Sequence, residues 1–321
     1  MTSIRSWYQK HQNTCKLPLI CGHRGARGEM PENTMPGFYH LVKHGVMAVE
    51  IDIQNTADAI PVLHHDPRIS ENLARDSNGR WLDDFGPKII ESPYDEIMHF
   101  DVGALRPGTA YQRKFPDQLA HEGLHIPTLE EFCIWLKSYP QMLANIEIKS
   151  YADRQDLSDS PMALANSVTN VIINHDLMAQ VIISSFDWRV LSACRAIDER
   201  VILSFLTYMD RENPIIQPNI FHLSPWMDGA HWNASKTTLP DVIADMGGHV
   251  WAPYFGDLST FQITRAKDLG LIVNVWPVNC RADILRMIEF EVDGLITDFP
   301  ARVKKIFSDY GSQQSSPRQR A

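Results

Sequence analysis

A closed (β/α)₈ barrel is the fold this sequence predicts, on three observations. Nine short apolar, β-rich runs recur along the chain, and most are separated by segments of helical hydrophobic period. About eight such units over roughly 300 residues match the size of a parallel barrel. No glycine-rich dinucleotide fingerprint follows the first run, which disfavours an open doubly wound sheet.

The elements follow in order. LPLICG (17–22), VMAVEIDI (46–53) and IPVLHH (60–65) come first, then MLANIEIK (142–149), QVIISSF (180–186) and VILSFL (201–206), and finally HVWAPYF (249–255), LIVNVW (271–276) and DGLITD (293–298). Each has strand length and strand composition. Helical period between them predicts helices over 128–139, 161–174, 187–197, 259–269 and 281–290. Thr128-Leu-Glu-Glu131 reads as a capping box opening the first of these, and Gly270 as the stop of the fourth. Two stretches break the rhythm, Pro67 to Ile126 and Tyr208 to Thr238. Loops that long in a compact domain are functional or carry small inserted elements. The expected organisation is an N-terminal extension at 1–16, a barrel over 17–307 with an insertion at 67–126, and a polar, disordered tail at 308–321.

Composition narrows the partners. With 321 residues and 44% hydrophobic content, the chain has enough material for a full core without disulfides. A net charge of -9 argues against nucleic acid and against stable association with anionic membranes, because both select basic faces. Five scattered cysteines without a C-x-x-C pair read as reduced, buried thiols. No apolar run approaches the ~18 residues that span a bilayer, and the first residues lack the apolar core of a secretion signal. The expectation is a soluble, cytoplasmic protein acting on a small molecule.

The chemistry starts in VEIDI. Glu50 and Asp52 are two apart, so on a strand both face one side while Val49, Ile51 and Ile53 face the other. On a half-exposed antiparallel strand the acids would simply meet water. In a barrel they point inward, where two dry carboxylates call for a divalent cation, and hard oxygen ligands favour Mg²⁺ or Ca²⁺. NIEIK repeats the pattern with Glu147 and Lys149 on one face, offering a third acid and a cation suited to a substrate anion. Histidines sit where two strands end, His23 after the first and the pair His64-His65 with Asp66 after the third, and two such histidines could serve as a paired general acid and base, with Asp66 able to orient a neighbour. Arg24 supplies a planar fork suited to phosphate, and Gly22 and Gly25 leave room for close backbone approach. Arg27, Glu29 and the 208–238 stretch receive no role from the sequence.

The stretch GHRGA followed by PENT, then VEIDIQNT, PVLHHD, IPTLEE, IEIK, ISSF, NVWPVN and GLITDFP, resembles the glycerophosphodiester phosphodiesterase family in identity and order, from about Leu17 to Phe307. The resemblance implies a TIM barrel with a small insertion after the PVLHHD motif. It implies metal-dependent hydrolysis of a glycerophosphodiester to sn-glycerol 3-phosphate and an alcohol. It makes His23 and His65 the acid/base pair, Glu50, Asp52 and Glu147 the ligands of one divalent cation, and Arg24 and Lys149 phosphate contacts. Phe186 and Trp276 fall where the family lines its pocket with aromatics, although either could be plain barrel core. The family usually reads Leu after PENT and Thr-Lys-Asp-Gly after the acids, where this chain has Met35 and Thr56-Ala-Asp-Ala59. A lysophospholipase D or sphingomyelinase D-like enzyme on the same barrel is the second reading, and a catalytically silent binding barrel the third.

Overall fold

The structure, a computed structural model, describes residue 4, residues 6–8, 17–209, 212, 214–233 and 235–315. Nine strands form one sheet: β1 (Leu19–Gly22), β2 (Ala48–Asn55), β3 (Pro61–Leu63), β4 (Leu143–Ile148), β5 (Val181–Ser185), β6 (Leu203–Thr207), β7 (Val250–Pro253), β8 (Ile272–Val275) and β9 (Gly294–Thr297). Eight of them close a parallel ring in the order β1-β2-β4-β5-β6-β7-β8-β9, with β9 returning to β1. The nine predicted runs are therefore all strands. One of them, β3, differs in kind: it pairs antiparallel with β2 and stands outside the ring. The reason is length, since the few residues between Asn55 and Pro61 allow a hairpin, whereas a parallel crossover needs a dozen or more.

Helices α1 (Met35–Lys43), α2 (Tyr94–Ile97), α3 (Ala110–Lys114), α4 (Leu129–Lys137), α5 (Pro161–Asn174), α6 (Trp188–Ile197), α7 (Leu239–Asp245), α8 (Thr260–Asp268), α9 (Arg281–Glu289) and α10 (Pro300–Ser315) carry the chain round the ring. The predicted capping box at Thr128 and Glu131 is present at the start of α4. Outward strand residues such as Val49, Ile51, Ile53, Ile146 and Ile148 pack with these helices in one core. Each such fully buried side chain contributes about 1.5–3 kcal/mol. Among the described residues no helix is long and apolar enough to cross a membrane.

Inward residues build a second core, and its layering places the chemistry. Followed round the ring, the strand register returns displaced by eight residues, the stagger of a (β/α)₈ barrel. With one residue of stagger per strand, alternate strands contribute each layer. Leu19, Leu143 and Ile272 lie lowest, beside Ile4 and Tyr8 of the N-terminal segment, which plug the floor. Glu50, Ser184, Ala252 and Ile296 form a middle layer. His23 and Glu147 rise above them with Leu206 and Trp276, and Asp52, Phe186, Tyr254 and Asp298 form the rim.

Two expectations need correction. The last helix runs through Ser315, so residues 308–315 are helical rather than part of a disordered tail; residues 316–321 lie outside the described ones. Cys280 is exposed and caps α9 through its sulfur, unlike the buried Cys21, Cys133 and Cys194, while Cys15 lies outside the described residues. The 67–126 stretch carries a small core in which Ile69, Ala74, Ile89, Ile97 and Ile126 pack with Val62 of β3.

Asp101 holds that insertion together. Its carboxylate accepts the N–H groups of Gly103, Gly123 and Leu124 and pairs with Arg75 at 2.7 Å. Against the upward push of burial, those donors hold its pKa below the usual aspartate value. A depressed pKa stabilises the fold fully above the ordinary value of about 4, and that stability is lost as pH falls through the depressed one. Asp101→Ala is expected to open the insertion to limited proteolysis at neutral pH, at a cost of about 1–3 kcal/mol. In the wild type, cleavage within the insertion should rise only under strongly acidic conditions.

Candidate active site

The loop after β1 is folded by close backbone approach. A Cβ on Gly22 would lie 2.0 Å from the Gly25 carbonyl oxygen, so only glycine fits there. Arg24 follows with a left-handed φ of 51°, which turns its N–H onto Glu50 Oε2 at 2.7 Å. Asn33, also left-handed at 54°, donates from Nδ2 to Asp52 Oδ2 at 2.9 Å and accepts the Asp52 N–H through Oδ1. Asn33 of PENT thus fixes an acid of VEIDI from the loop above it. Thr34 donates to the Pro31 carbonyl and begins α1 without a side-chain cap.

Glu50, Asp52 and Glu147 each offer a carboxylate oxygen within 4.8 Å of the others, and all three are buried. Burial first, then Asp52 and Glu147, push the Glu50 carboxyl well above the usual range, and burial raises Glu147 as well. Asp52 goes the other way: against burial, His65, Arg24 and Lys149 hold it low. Glu50 Oε1 and Asp52 Oδ1 are buried with no hydrogen-bond partner, although Lys149 Nζ stands 3.5 Å from the latter. Oxygens left over in an acidic cluster of this size are what a divalent cation satisfies, so the donor set fits one. Lys149 Nζ also pairs with Glu147 Oε1 at 2.6 Å and lies 6.0 Å from the Phe186 ring centre.

Both predicted histidines have a carboxylate behind them. His23 Nδ1 donates to Asp298 Oδ1 at 2.6 Å, leaving Nε2 facing Glu50 Oε2 at 3.8 Å. Asp298 further accepts from Arg27 Nε at 2.6 Å and from Asn279 Nδ2 at 2.6 Å. Burial, then the Arg27 guanidinium, push the His23 pKa down to about 4, although Asp298 works the other way. His65 Nδ1 donates to Asp66 Oδ1 at 2.6 Å, and burial, Arg24 and Lys149 push its pKa down. A carboxylate on Nδ1 fixes the ring orientation and leaves Nε2 for proton transfer.

Two cavities meet at His65 and Asp66. One of about 470 Å³ is lined by Lys149, Tyr151, Phe186, Ile216 and Trp226. The other, of about 320 Å³, is lined by Arg24, Arg27, Asn72, Phe85 and Tyr111. Phe186 and Trp276 meet edge to face at 5.2 Å. The 208–238 stretch supplies Ile216 and Trp226 to the larger cavity. Asn219 anchors it by donating to the carbonyls of Phe186 and Leu206 while accepting the Tyr208 N–H.

All nine predicted site residues lie at this one end of the barrel. Sequence reading missed Asn33, Arg27, Asn279, Asp298 and Tyr111. Asp298 and Asn33 stood in quoted motifs, at a strand end and a turn, where a polar residue could have been singled out. Arg27 and Tyr111 carried no local signal. Glu29, unassigned before, accepts the N–H groups of Ala301 and Arg302 at the start of α10 and pairs with His40 at 2.8 Å.

Buried acids, two carboxylate-backed histidines and paired cations gather at the carboxyl ends of the barrel strands, where enzymes of this fold place their active sites, and the chain's relatives make it a phosphoric diester hydrolase. The chain belongs to the glycerophosphoryl diester phosphodiesterase family, whose model matches residues 23–302. Among its relatives, the glycerophosphodiester phosphodiesterase of Bacillus altitudinis is 27% identical over 90% of this chain and 98% of its own. A solved structure from Silicibacter pomeroyi DSS-3, provisionally assigned as a glycerophosphoryl diester phosphodiesterase, is 34% identical with a TM-score of 0.81, covering 92% of this chain and 94% of that one. A phosphodiesterase of Oleispira antarctica, solved with the product sn-glycerol-3-phosphate, shares the fold at 20% identity and a TM-score of 0.66, over 91% of this chain and 98% of its own.

Proposed function

We propose that this chain hydrolyses glycerophosphodiesters to sn-glycerol 3-phosphate and a free alcohol, with one Mg²⁺ or Ca²⁺ held by Glu50, Asp52 and Glu147. The observation that carries this reading is the buried carboxylate trio with oxygens to spare, set between two histidines that each lean on an aspartate. The name of the Bacillus altitudinis relative and the product bound by the Oleispira antarctica protein support the substrate class.

When bound, a divalent cation supplies charge neutralisation for the phosphoryl oxygens and activates a hydroxyl nucleophile. Arg24 and Lys149, which each stand beside one oxygen of Asp52, would stabilise charge that grows on the equatorial oxygens of the phosphate. One histidine takes the proton of the nucleophile through Nε2, and the other returns a proton to the departing alcohol. Burial and the neighbouring Arg24, Arg27 and Lys149 favour the neutral form of both rings, which suits the base. A bound phosphate anion raises the pKa of the histidine it faces, and so recruits the acid only with substrate in place. Phe186 supplies an apolar wall to the larger cavity, and Trp276 packs edge to face against it from the barrel core.

Glycerophosphocholine with Mg²⁺ or Ca²⁺ is expected to release glycerol 3-phosphate, read by a coupled dehydrogenase. Excess EDTA should reduce the rate to background, and either cation should restore it. An equal rate with and without chelator would sink the metal role. A lysophospholipase D reading draws on one observation, Ile216 at 41% exposure on the wall of the larger cavity, where an acyl chain could lie. Turnover of lysophosphatidylcholine at least as fast as that of glycerophosphocholine would favour it.

A further inference from the structure

We propose that Tyr111 is a positioning residue for Arg24, which makes the 67–126 insertion part of the phosphate-binding apparatus; the inference rests on the phosphodiesterase reading above. Arg24 is held by two acids. Its Nη1 donates to Glu32 Oε1 at 2.8 Å, and its Nε lies 3.3 Å from Asp52 Oδ2. The second Glu32 oxygen, Oε2, accepts the Tyr111 hydroxyl from 79 residues away. Glu32 is therefore shared, one oxygen to each partner, and its side chain is only 9% exposed.

That division sets the guanidinium. A carboxylate oxygen stripped of its donor seeks another, and Arg24, already bonded to the other oxygen, has a planar fork able to engage both. Engaging both would rotate the fork toward Glu32 and away from the cavity that Arg24, Tyr111, Arg27 and His65 line together. Tyr111 is itself held in place. Thr109 caps its short helix by accepting the Gln112 N–H, and Phe115 meets its ring edge to face at 5.3 Å.

The same strap grips the rest of the loop after β1. Phe115 lies under the Arg27 guanidinium at 5.1 Å. Gln118 donates to the Arg27 carbonyl at 2.6 Å, and the Leu119 N–H donates to the Glu29 carbonyl at 3.0 Å. Residues 111–119 thus touch the loop at Arg27, Glu29 and Glu32, while a packing insertion would need to touch only its own core.

Tyr111→Phe removes one hydroxyl and keeps the ring. Inorganic phosphate with saturating Mg²⁺, measured by calorimetry, is expected to bind roughly five- to thirtyfold more weakly, a part of what a lost hydrogen bond to a charged group costs, because Tyr111 acts on phosphate only through Arg24. KM for glycerophosphocholine should rise by a similar factor while kcat falls less. The double variant Tyr111→Phe with Glu32→Gln should lose less than the two single losses combined, because both act on one contact. Tyr94→Phe is the control: its hydroxyl donates to the Ile126 carbonyl at 3.1 Å inside the insertion, and its removal should lower stability without moving phosphate affinity. Unchanged phosphate affinity in Tyr111→Phe, or an equal loss in Tyr94→Phe, overturns the proposal. A wild-type protein that binds phosphate and shows the Tyr111 effect yet turns over no glycerophosphodiester overturns only the parent reading.

Discussion

His23→Ala is expected to lower kcat/KM for glycerophosphocholine by roughly 10³-fold, within the range of 10²–10⁴ for a general acid or base. Three contacts place the loss in this ring rather than in a generic polar group. Asp298 accepts a hydrogen bond from His23 Nδ1, while Arg27 and Asn279 hold Asp298 in turn. Against burial, Arg27 and His23 keep the Asp298 carboxyl well below the usual range, so it remains an acceptor and fixes one tautomer. Added imidazole should restore part of the rate, since the pocket left by the ring retains Asp298 as its hydrogen-bond acceptor. His65→Ala should cost a comparable factor, and the bell-shaped dependence of kcat/KM on pH should lose one limb in each variant. Turnover within threefold of wild type in His23→Ala would remove this residue from the chemistry.

Glu50→Gln is the second large effect, and it acts in opposite directions on activity and stability. Turnover should fall by more than 10²-fold because a carboxylate ligand is lost. The metal-free protein, in contrast, should become more stable at neutral and alkaline pH by about 1–3 kcal/mol, since a carboxyl whose ionisation is opposed by burial, Asp52 and Glu147 is replaced by a neutral group of the same shape. Glutamine keeps an oxygen to accept the Arg24 N–H, so the loop after β1 retains that bond.

The sign with pH follows from the raised Glu50 pKa. A carboxyl whose folded pKa lies above its unfolded one destabilises the fold only where the unfolded chain is ionised. The penalty is therefore absent below the ordinary glutamate value of about 4.3, grows as pH rises beyond it, and levels off above the raised value. Denaturant melts of chelator-treated protein should show Gln and wild type nearly equal at pH 4, and Gln ahead at pH 8. Asp52 carries the opposite sign, because its pKa is held low: its contribution is lost as pH falls. A Gln variant that is less stable than wild type at pH 8 without metal would mean the three acids are already compensated within the protein.

Period and spacing made most of this site legible. An alternation of two put Glu50 and Asp52 on one face of β2, and its repeat in β4 put Glu147 beside them, because a parallel strand alternates faces whatever surrounds it. Helix starts were legible for the same local reason: Thr128 and Glu131 make their capping box within four residues. Strand composition alone did not say which of the nine runs stands outside the ring of eight, because composition does not report direction, whereas the length of the turn before β3 does.

What the sequence by itself determined is the set of strands, the inward face of each, and the residue types at their carboxyl ends, since these depend on neighbours a few positions away. Ring closure decided the rest. It set β9 against β1, so Asp298 reaches His23 across 275 residues and Arg27 acquires a buried partner. The fold of the insertion brought Tyr111 to Glu32, and the long stretch after β6 brought Trp226 to the cavity wall. None of these contacts leaves a periodic trace, because each is made by a single side chain whose partner is fixed by barrel register and loop path rather than by spacing along the chain.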